Sequence, residues 1–266
     1  MPNKFLLTCA AATALFVHGS PAATPPQFEV ASVKLSKSGA PGGNVQLTPG
    51  RFRGSDLALQ WLILVAYKIG GFQLSGDLPG WTLSERFNID AKSESPASDD
   101  TTLLMLQNLL EQRFKLTMHR ETKEGPVYVL TVAKNGIRMQ PGTCVSTVAD
   151  LPNECGNSHS GGSIQTLDWR GVHISVPDGV GYRSLAAQLS NTLGRTVIDK
   201  TGLIGTYDVH LRWTSDSAPT GASPPDDSAT PSLFTAIEEQ LGLRLTAARG
   251  PVEYVIVDYV ERPSPN

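Results

Sequence analysis

The chain of 266 residues carries a formal net charge of −3, a pI of about 6.0 and 18% charged residues. Its Lys and Arg residues are scattered among acids with no basic run, which argues against a nucleic-acid partner, because neutralising phosphates needs clustered cations. Hydrophobic residues at 40% are ample for folded cores, and the length suits two domains of ordinary size.

Residues 1–23 read as a secretory leader: Lys4 supplies the positive start, 5–17 form an apolar run, and Ser20-Pro21-Ala22-Ala23 offers small residues for cleavage. The run falls short of the ~20 residues a bilayer span needs. The expectation is export to the periplasm or beyond, with a mature chain beginning near Thr24 and containing no membrane span. Cys9 stands too early in the apolar run to serve as a lipoprotein cysteine.

A first α+β module is expected over 24–140. Residues 28–34 read as a strand, with short extended pieces at 45–47 and 51–53. Asp56 is placed to cap a helix over 57–68, whose apolar residues run almost all round it, the pattern of an element covered on more than one side. Phe87, Ile89 and Ala91 alternate with Asn88, Asp90 and Lys92, the period of a half-buried strand. Asp100 is placed to cap a second helix over 101–113, with Leu103, Leu106 and Leu110 on one face. Segments 114–121 and 127–134 read as a hairpin turning at Glu124-Gly125-Pro126.

Residues 141–160 form a linker in which Cys144 and Cys155 flank a segment rich in Pro, Gly and Asn, the setting of a local disulfide in an oxidising compartment. Zinc would need further ligands at defined spacing, and neither Cys-x-x-Cys nor His-x-x-x-His occurs. A second α+β module follows over 161–266. It has a strand at 172–176, a helix over 185–193 capped by Ser184, and a short strand at 196–199. Tyr207, Val209, Leu211 and Trp213 alternate with polar residues, and a polar loop covers 215–229. Thr230 then caps a helix with Pro231 at its first position, and 243–247 with 253–262 close the module as two strands.

The two modules match at ordered anchors. Leu57-Ala58-Leu59-Gln60 returns as Leu185-Ala186-Ala187-Gln188, Phe87 to Ala91 as Tyr207 to Leu211, and Glu111-Gln112 as Glu239-Gln240. Pro79-Gly80-Trp81 answers Thr201-Gly202-Leu203, Phe114 to Thr117 answers Leu243 to Thr246, and Gly125-Pro126-Val127 answers Gly250-Pro251-Val252. Self-similarity in a fixed order marks a repeated structural unit. The fold class expected is α+β: two related modules, each an antiparallel or mixed sheet with about two helices on one face.

The combination of Phe28-Glu29-Val30-Ala31-Ser32-Val33-Lys34, Pro79-Gly80-Trp81, Arg86-Phe87-Asn88-Ile89, Arg113-Phe114-Lys115-Leu116, Asp199-Lys200-Thr201-Gly202-Leu203 and Glu239-Gln240-Leu241-Gly242-Leu243 resembles the soil-associated exported protein family of Acidobacteria. That family is a domain of unknown function, so the resemblance implies an exported, duplicated protein without an established activity or catalytic residues. Some of its relatives are associated with membrane metallopeptidase sensors, whose His-Glu-x-x-His motif is missing from this sequence. Separately, 196–199, Tyr207 to Trp213, Leu233 to Leu243 and the closing strand are similar to the short N-terminal domain of secretins and TonB-dependent receptors, a periplasmic protein-contact module.

Reactive constellations are sparse. Gly156-Asn157-Ser158-His159-Ser160 looks like a nucleophile elbow but lacks the final Gly and reads as loop. His119 and His210 fall on the polar faces of strands, Asp199 and Lys200 in a turn before Thr201-Gly202, and Trp81 beside Pro79-Gly80, where an aromatic ring can pack or line a binding surface. These five are the candidate binding residues; no catalytic residue, metal ligand or cofactor is expected. The functional expectation is a non-catalytic exported module that binds a protein or cell-envelope component. An extracytoplasmic hydrolase with its site between the two modules is the alternative, and a small-ligand sensor a third reading.

Overall fold

The computed structural model describes residues 25–37, 43–142, 157–160, 164–174, 184–214 and 230–263. The leader, the expected Cys144–Cys155 bridge and the 215–229 loop lie outside the described residues. In chain order the elements are β1 (Val30–Leu35), β2 (Asn44–Thr48), β3 (Arg51–Ala58), α1 (Leu59–Tyr67), β4 (Leu74–Gly76), α2 (Trp81–Ser84), β5 (Arg86–Lys92), α3 (Asp99–Phe114) and β6 (Thr117–Val132). They continue with β7 (Gln140–Pro141), β8 (Asn157–Ser160), β9 (Ile164–His173), α4 (Leu185–Leu193), β10 (Val197–Asp199), β11 (Thr206–Thr214), α5 (Leu233–Ala236), a π-helical turn over Ile237–Leu241, and β12 (Leu243–Tyr259). The α+β class is as expected.

Three four-stranded sheets organise these elements, in the orders β1-β5-β3-β2, β10-β6-β12-β4 and β7-β11-β9-β8. The two outer sheets are antiparallel throughout and arrange their strands alike, with the alternating strands β5 and β11 in matching positions. The central sheet joins the two parts of the chain. Its long strands β6 and β12 pair antiparallel from Val132 opposite Leu243 to Thr117 opposite Tyr259, and each takes a short parallel strand from the other part, β10 beside β6 and β4 beside β12.

This pairing corrects the expected hairpin of 114–121 with 127–134 and the expected separate closing strands 243–247 and 253–262, each of which is one continuous strand. Gly125 and Gly250 face each other in mid-ladder, with Pro126 opposite Arg249 and Pro251 opposite Glu124. A proline in a strand is tolerated where its missing N–H points away from the ladder. Tyr128, two positions on from Pro126, donates its N–H to Thr196 O on the β10 side. The Glu253 carbonyl, two positions on from Pro251, likewise accepts from Gln73 Nε2 on the β4 side. Both prolines therefore turn their nitrogens toward the outer edges, beyond the ends of β10 and β4, and no bond of the long ladder is lost.

Two cores form, and each borrows from the other part of the chain. Phe52, Leu59, Leu62, Ile63, Phe87, Leu106, Leu110 and Phe114 pack with Val257 and Val260 of the closing segment. Leu185, Leu189, Val209, Leu211, Leu233, Ile237 and Leu243 pack with Leu130 of β6. Burying each such side chain contributes about 1.5–3 kcal/mol.

The helix caps differ from the expected ones except at α4, where the Ser184 side chain accepts from Ala187 N. Helix α3 begins two residues early: Ser98, not Asp100, is the cap, accepting from Thr101 N at 3.2 Å, which leaves Asp99 and Asp100 in the first turn where the helix dipole favours acids. In the same way Ser232, not Thr230, caps α5, through Thr235 N. Helix α1 starts at Leu59 from Ala58 with no side-chain cap, because Asp56 belongs to β3. Among the described residues no helix is long and apolar enough to cross a membrane.

Candidate functional site

The first outer sheet turns one face to its core and the other to water. Phe52, Phe87, Ile89, Ala91 and Val33 point inward, so by alternation Ser32 and Lys34 of β1, Arg86, Asn88, Asp90 and Lys92 of β5, Arg51, Arg53 and Ser55 of β3, and Asn44 and Gln46 of β2 point outward. That face carries Lys34, Arg51, Arg53, Arg86 and Lys92 against a single carboxylate, Asp90, on a chain whose net charge is −3. On β9 and β11 of the other outer sheet, Arg170 and Arg212 are balanced by Asp168 and Asp208. Two sheets of one topology thus differ in electrostatics.

Asp90 organises the basic face. Arg51 grips it with Nε and Nη2 on Oδ1 at 3.1 and 2.9 Å and Nη2 on Oδ2 at 3.0 Å, while Arg53 reaches Oδ2 through Nε alone at 3.4 Å. Arg51 stands opposite Lys92 in the ladder, a like-charge pair that the carboxylate offsets. Beside this network an open hollow of about 460 Å³ runs over the sheet, lined among others by Ser32, Lys34, Asn44, Gln46, Arg53 and Asn88.

One end of the hollow is shaped by a bulge. The β3–β5 register shifts between Gly54 and Leu57, and Asp56 takes φ 58° there, with its N–H donating to Asn88 Oδ1 at 2.8 Å. Bulges re-aim side chains at functional edges. A Cβ at Gly54 would meet Leu57 Cδ1 at 2.6 Å and Phe52 Cε1 at 3.1 Å, so a larger residue here would displace the Leu57 side chain from the core. Asp56 is 7% exposed, and neither carboxylate oxygen has a hydrogen-bond partner among the described residues.

The five candidates from sequence lie elsewhere, spread over four elements. Trp81 opens α2, edge-on to Phe87 at 6.5 Å between centroids, with the Arg262 guanidinium 5.2 Å from its ring centroid. Arg262 is held in turn by Glu85, so the ring and the ion pair anchor the end of the chain. His119 on β6 is exposed, its Nδ1 2.9 Å from Asp258 Oδ1, and His210 on β11 contacts the Asp168 carboxylate across the ladder. Asp199 Oδ1 accepts from Thr201 N at 2.8 Å and Lys200 N donates to Leu130 O, so both close β10 in a turn. The Asn-Ser-His-Ser of the elbow-like motif lies on β8 rather than in a strand-turn-helix bend.

A second hollow, of about 420 Å³, reaches from α1 and α3 to β6 and β12 and so spans both parts of the chain. Its charges are satisfied in pairs, Lys68 with Asp100 at 2.5 Å and Arg120 with Glu253. Tyr67, also in its lining, has its phenol pushed well above the usual range by burial first and by the Glu111 carboxylate second. It stays a neutral hydroxyl at every physiological pH. Among the described residues no group of three or more His, Cys, Asp or Glu side chains could hold a metal ion.

The residues of the basic face were missed in sequence because no two of its cations are adjacent. The available signal was the period: Ser32-x-Lys34, Asn44-x-Gln46, Arg51-x-Arg53 and Asn88-x-Asp90-x-Lys92 each place polar residues two apart, which strand pairing alone brings to one surface.

Fold and site together define an α+β protein with an exposed, polar, cationic sheet face. The chain belongs to the family described as protein of unknown function (DUF3738), whose model matches residues 60–260. No curated protein and no solved structure matches the chain.

Proposed function

We propose that this is an exported, non-catalytic binding protein that holds an anionic component of the cell envelope on the outward face of its first sheet. The observation that carries the reading is the surplus of cations on that face, Lys34, Arg51, Arg53, Arg86 and Lys92 against Asp90, with Lys34 and Arg53 lining an open hollow. A surface of this kind steers and orients an oppositely charged partner. The leader-like residues 1–23 and the resemblance to a soil-associated exported family support the location. The matched strand orders of the outer sheets, with the ordered sequence anchors, support descent from a duplicated module, of which one copy kept a neutral face and the other became basic.

The test is cosedimentation of the purified protein with isolated cell envelopes across a salt series. The bound fraction is expected to fall steeply as salt rises, since exposed charges are screened within about 8 Å at physiological ionic strength. A Lys34→Gln/Arg53→Gln double variant with an unchanged melting temperature is expected to lose at least ten-fold in binding. Retention insensitive to both salt and the double variant would sink the proposal.

A further inference from the structure

We infer that the component held on the first sheet is an acidic polysaccharide, recognised through its ring carboxylates and hydroxyls together. This rests on the anion-binding reading above and names the ligand class for the same face. The hollow offers more than charge. Next to Lys34 and Arg53 it presents the amides of Asn44 and Gln46, the amide nitrogen of Asn88, whose Oδ1 already accepts from the Asp56 N–H, and the hydroxyl of Ser55. An amide side chain sets a donor and an acceptor next to each other. Neighbouring sugar hydroxyls, which both give and accept, use such a pair fully; a phosphate, which only accepts at these contacts, leaves the amide carbonyls idle.

The two cations are arranged for a carboxylate. Asp90 takes Arg51 in a bidentate grip, but engages Arg53 only through Nε, so the terminal nitrogens of Arg53 are left without a hydrogen bond among the described residues. A guanidinium fork matches a planar carboxylate with two parallel bonds. Lys34 lies two strands away, across β5, and adds a second point charge to the same hollow. Asp90 sits between them and repels any carboxylate out of register, which spaces the acceptable charges along the ligand.

Shape and the lack of an aromatic platform narrow the class further. The hollow is open and crosses four strands, a width of about 14 Å at the usual strand spacing. A shallow, extended surface suits a run of sugar rings better than an enclosed small molecule. No aromatic side chain stands among the hollow's lining residues to stack against the apolar face of a sugar, so affinity must come from charge and hydrogen bonds. A neutral glycan therefore lacks the main source of binding energy, and an acidic one has it.

The experiment is isothermal titration of the purified protein with four soluble polymers: polygalacturonate, the same polymer methyl-esterified, dextran and polyphosphate. Polygalacturonate is expected to bind, with at least a ten-fold loss on esterification and no measurable heat with dextran. Lys34→Gln/Arg53→Gln is expected to lower polygalacturonate affinity at least ten-fold. Asn44→Ala/Gln46→Ala, which changes no charge and touches exposed positions of β2, is expected to lower it three- to ten-fold while lowering any polyphosphate binding by less, since phosphate uses only the amide donors. Polyphosphate binding as tight as polygalacturonate, or indifference to the Asn44/Gln46 variant, would overturn the saccharide assignment and leave the anion-binding reading standing. Binding of neither anion would overturn both.

Discussion

Asp56 is the residue at which local rules are broken. Sequence places it as the cap of α1, the role Ser184 fills for α4, yet the chain adopts φ 58° there and buries the side chain with both oxygens unpartnered among the described residues. The bulge explains the difference. The Asn88 side chain takes the Asp56 N–H, which locks the kink beside the basic face and withdraws the carboxylate from the helix terminus. A buried carboxyl whose oxygens lack hydrogen-bond partners is costly, and Asn adopts the left-handed region as readily as Asp. Asp56→Asn is therefore expected to stabilise the fold by about 1–3 kcal/mol, read as a higher urea midpoint with an unchanged slope at pH 7. An unchanged or lower midpoint would mean that the carboxylate is satisfied by a group other than the described residues, and would make it a second element of the candidate site.

At the level of elements, most of what was legible came from periodicity and capping. The alternation of 87–92 gave β5, Ser184 gave α4 with the expected bounds, and the alternation from Tyr207 to Trp213 gave β11. What was not legible depended on partners remote in sequence. Gly125-Pro126 and Gly250-Pro251 carry turn chemistry, and only their mutual pairing in β6 and β12 makes straight strands of them. The basic face has the same origin, since strand pairing across 32–92 assembles it. The end of the π-helical turn shows how tightly such joins are built. Gly242, at φ 68°, would bring a Cβ 2.1 Å from Gly136 O and 2.9 Å from Arg138 N, backbone that is itself tied down by Arg138 N to Leu241 O and Ala133 N to Gly242 O. The matching cap of α3 is Lys115, also left-handed at φ 51° but a lysine, so the conformation alone does not demand glycine. The crowding does. Gly242→Ala is expected to cost at least about 2 kcal/mol, from the left-handed penalty plus displaced backbone, whereas Lys115→Ala is expected to change stability by less than about 1 kcal/mol. Thermal melts of the two variants provide the comparison, and equal melting temperatures would contradict it.

Over the whole molecule, the long β6–β12 ladder makes the two parts of the chain depend on each other. Each outer sheet has its own helices, but neither core closes alone: the first needs Val257 and Val260, the second needs Leu130, and the edges of β6 and β12 are covered by β10 and β4 from the opposite part. A fragment of residues 24–142 would keep every residue of the basic face and still expose Phe114, Leu116 and the full length of β6 to water, an unpaired edge of the kind that recruits another strand. Such an edge is satisfied only by β12 or by a copy of itself. The fragment is therefore expected to lack a cooperative thermal transition as a monomer and to form dimers or larger species, and adding a fragment of residues 143–266 is expected to restore a single transition and a 1:1 complex by light scattering. A monomeric 24–142 fragment that melts cooperatively would show that the shared sheet is dispensable. The same dependence bears on function: because the basic sheet stands on a core completed by β12, substitutions at Val257 or Val260 should weaken anion binding and stability together, while those at Lys34 and Arg53 weaken binding alone.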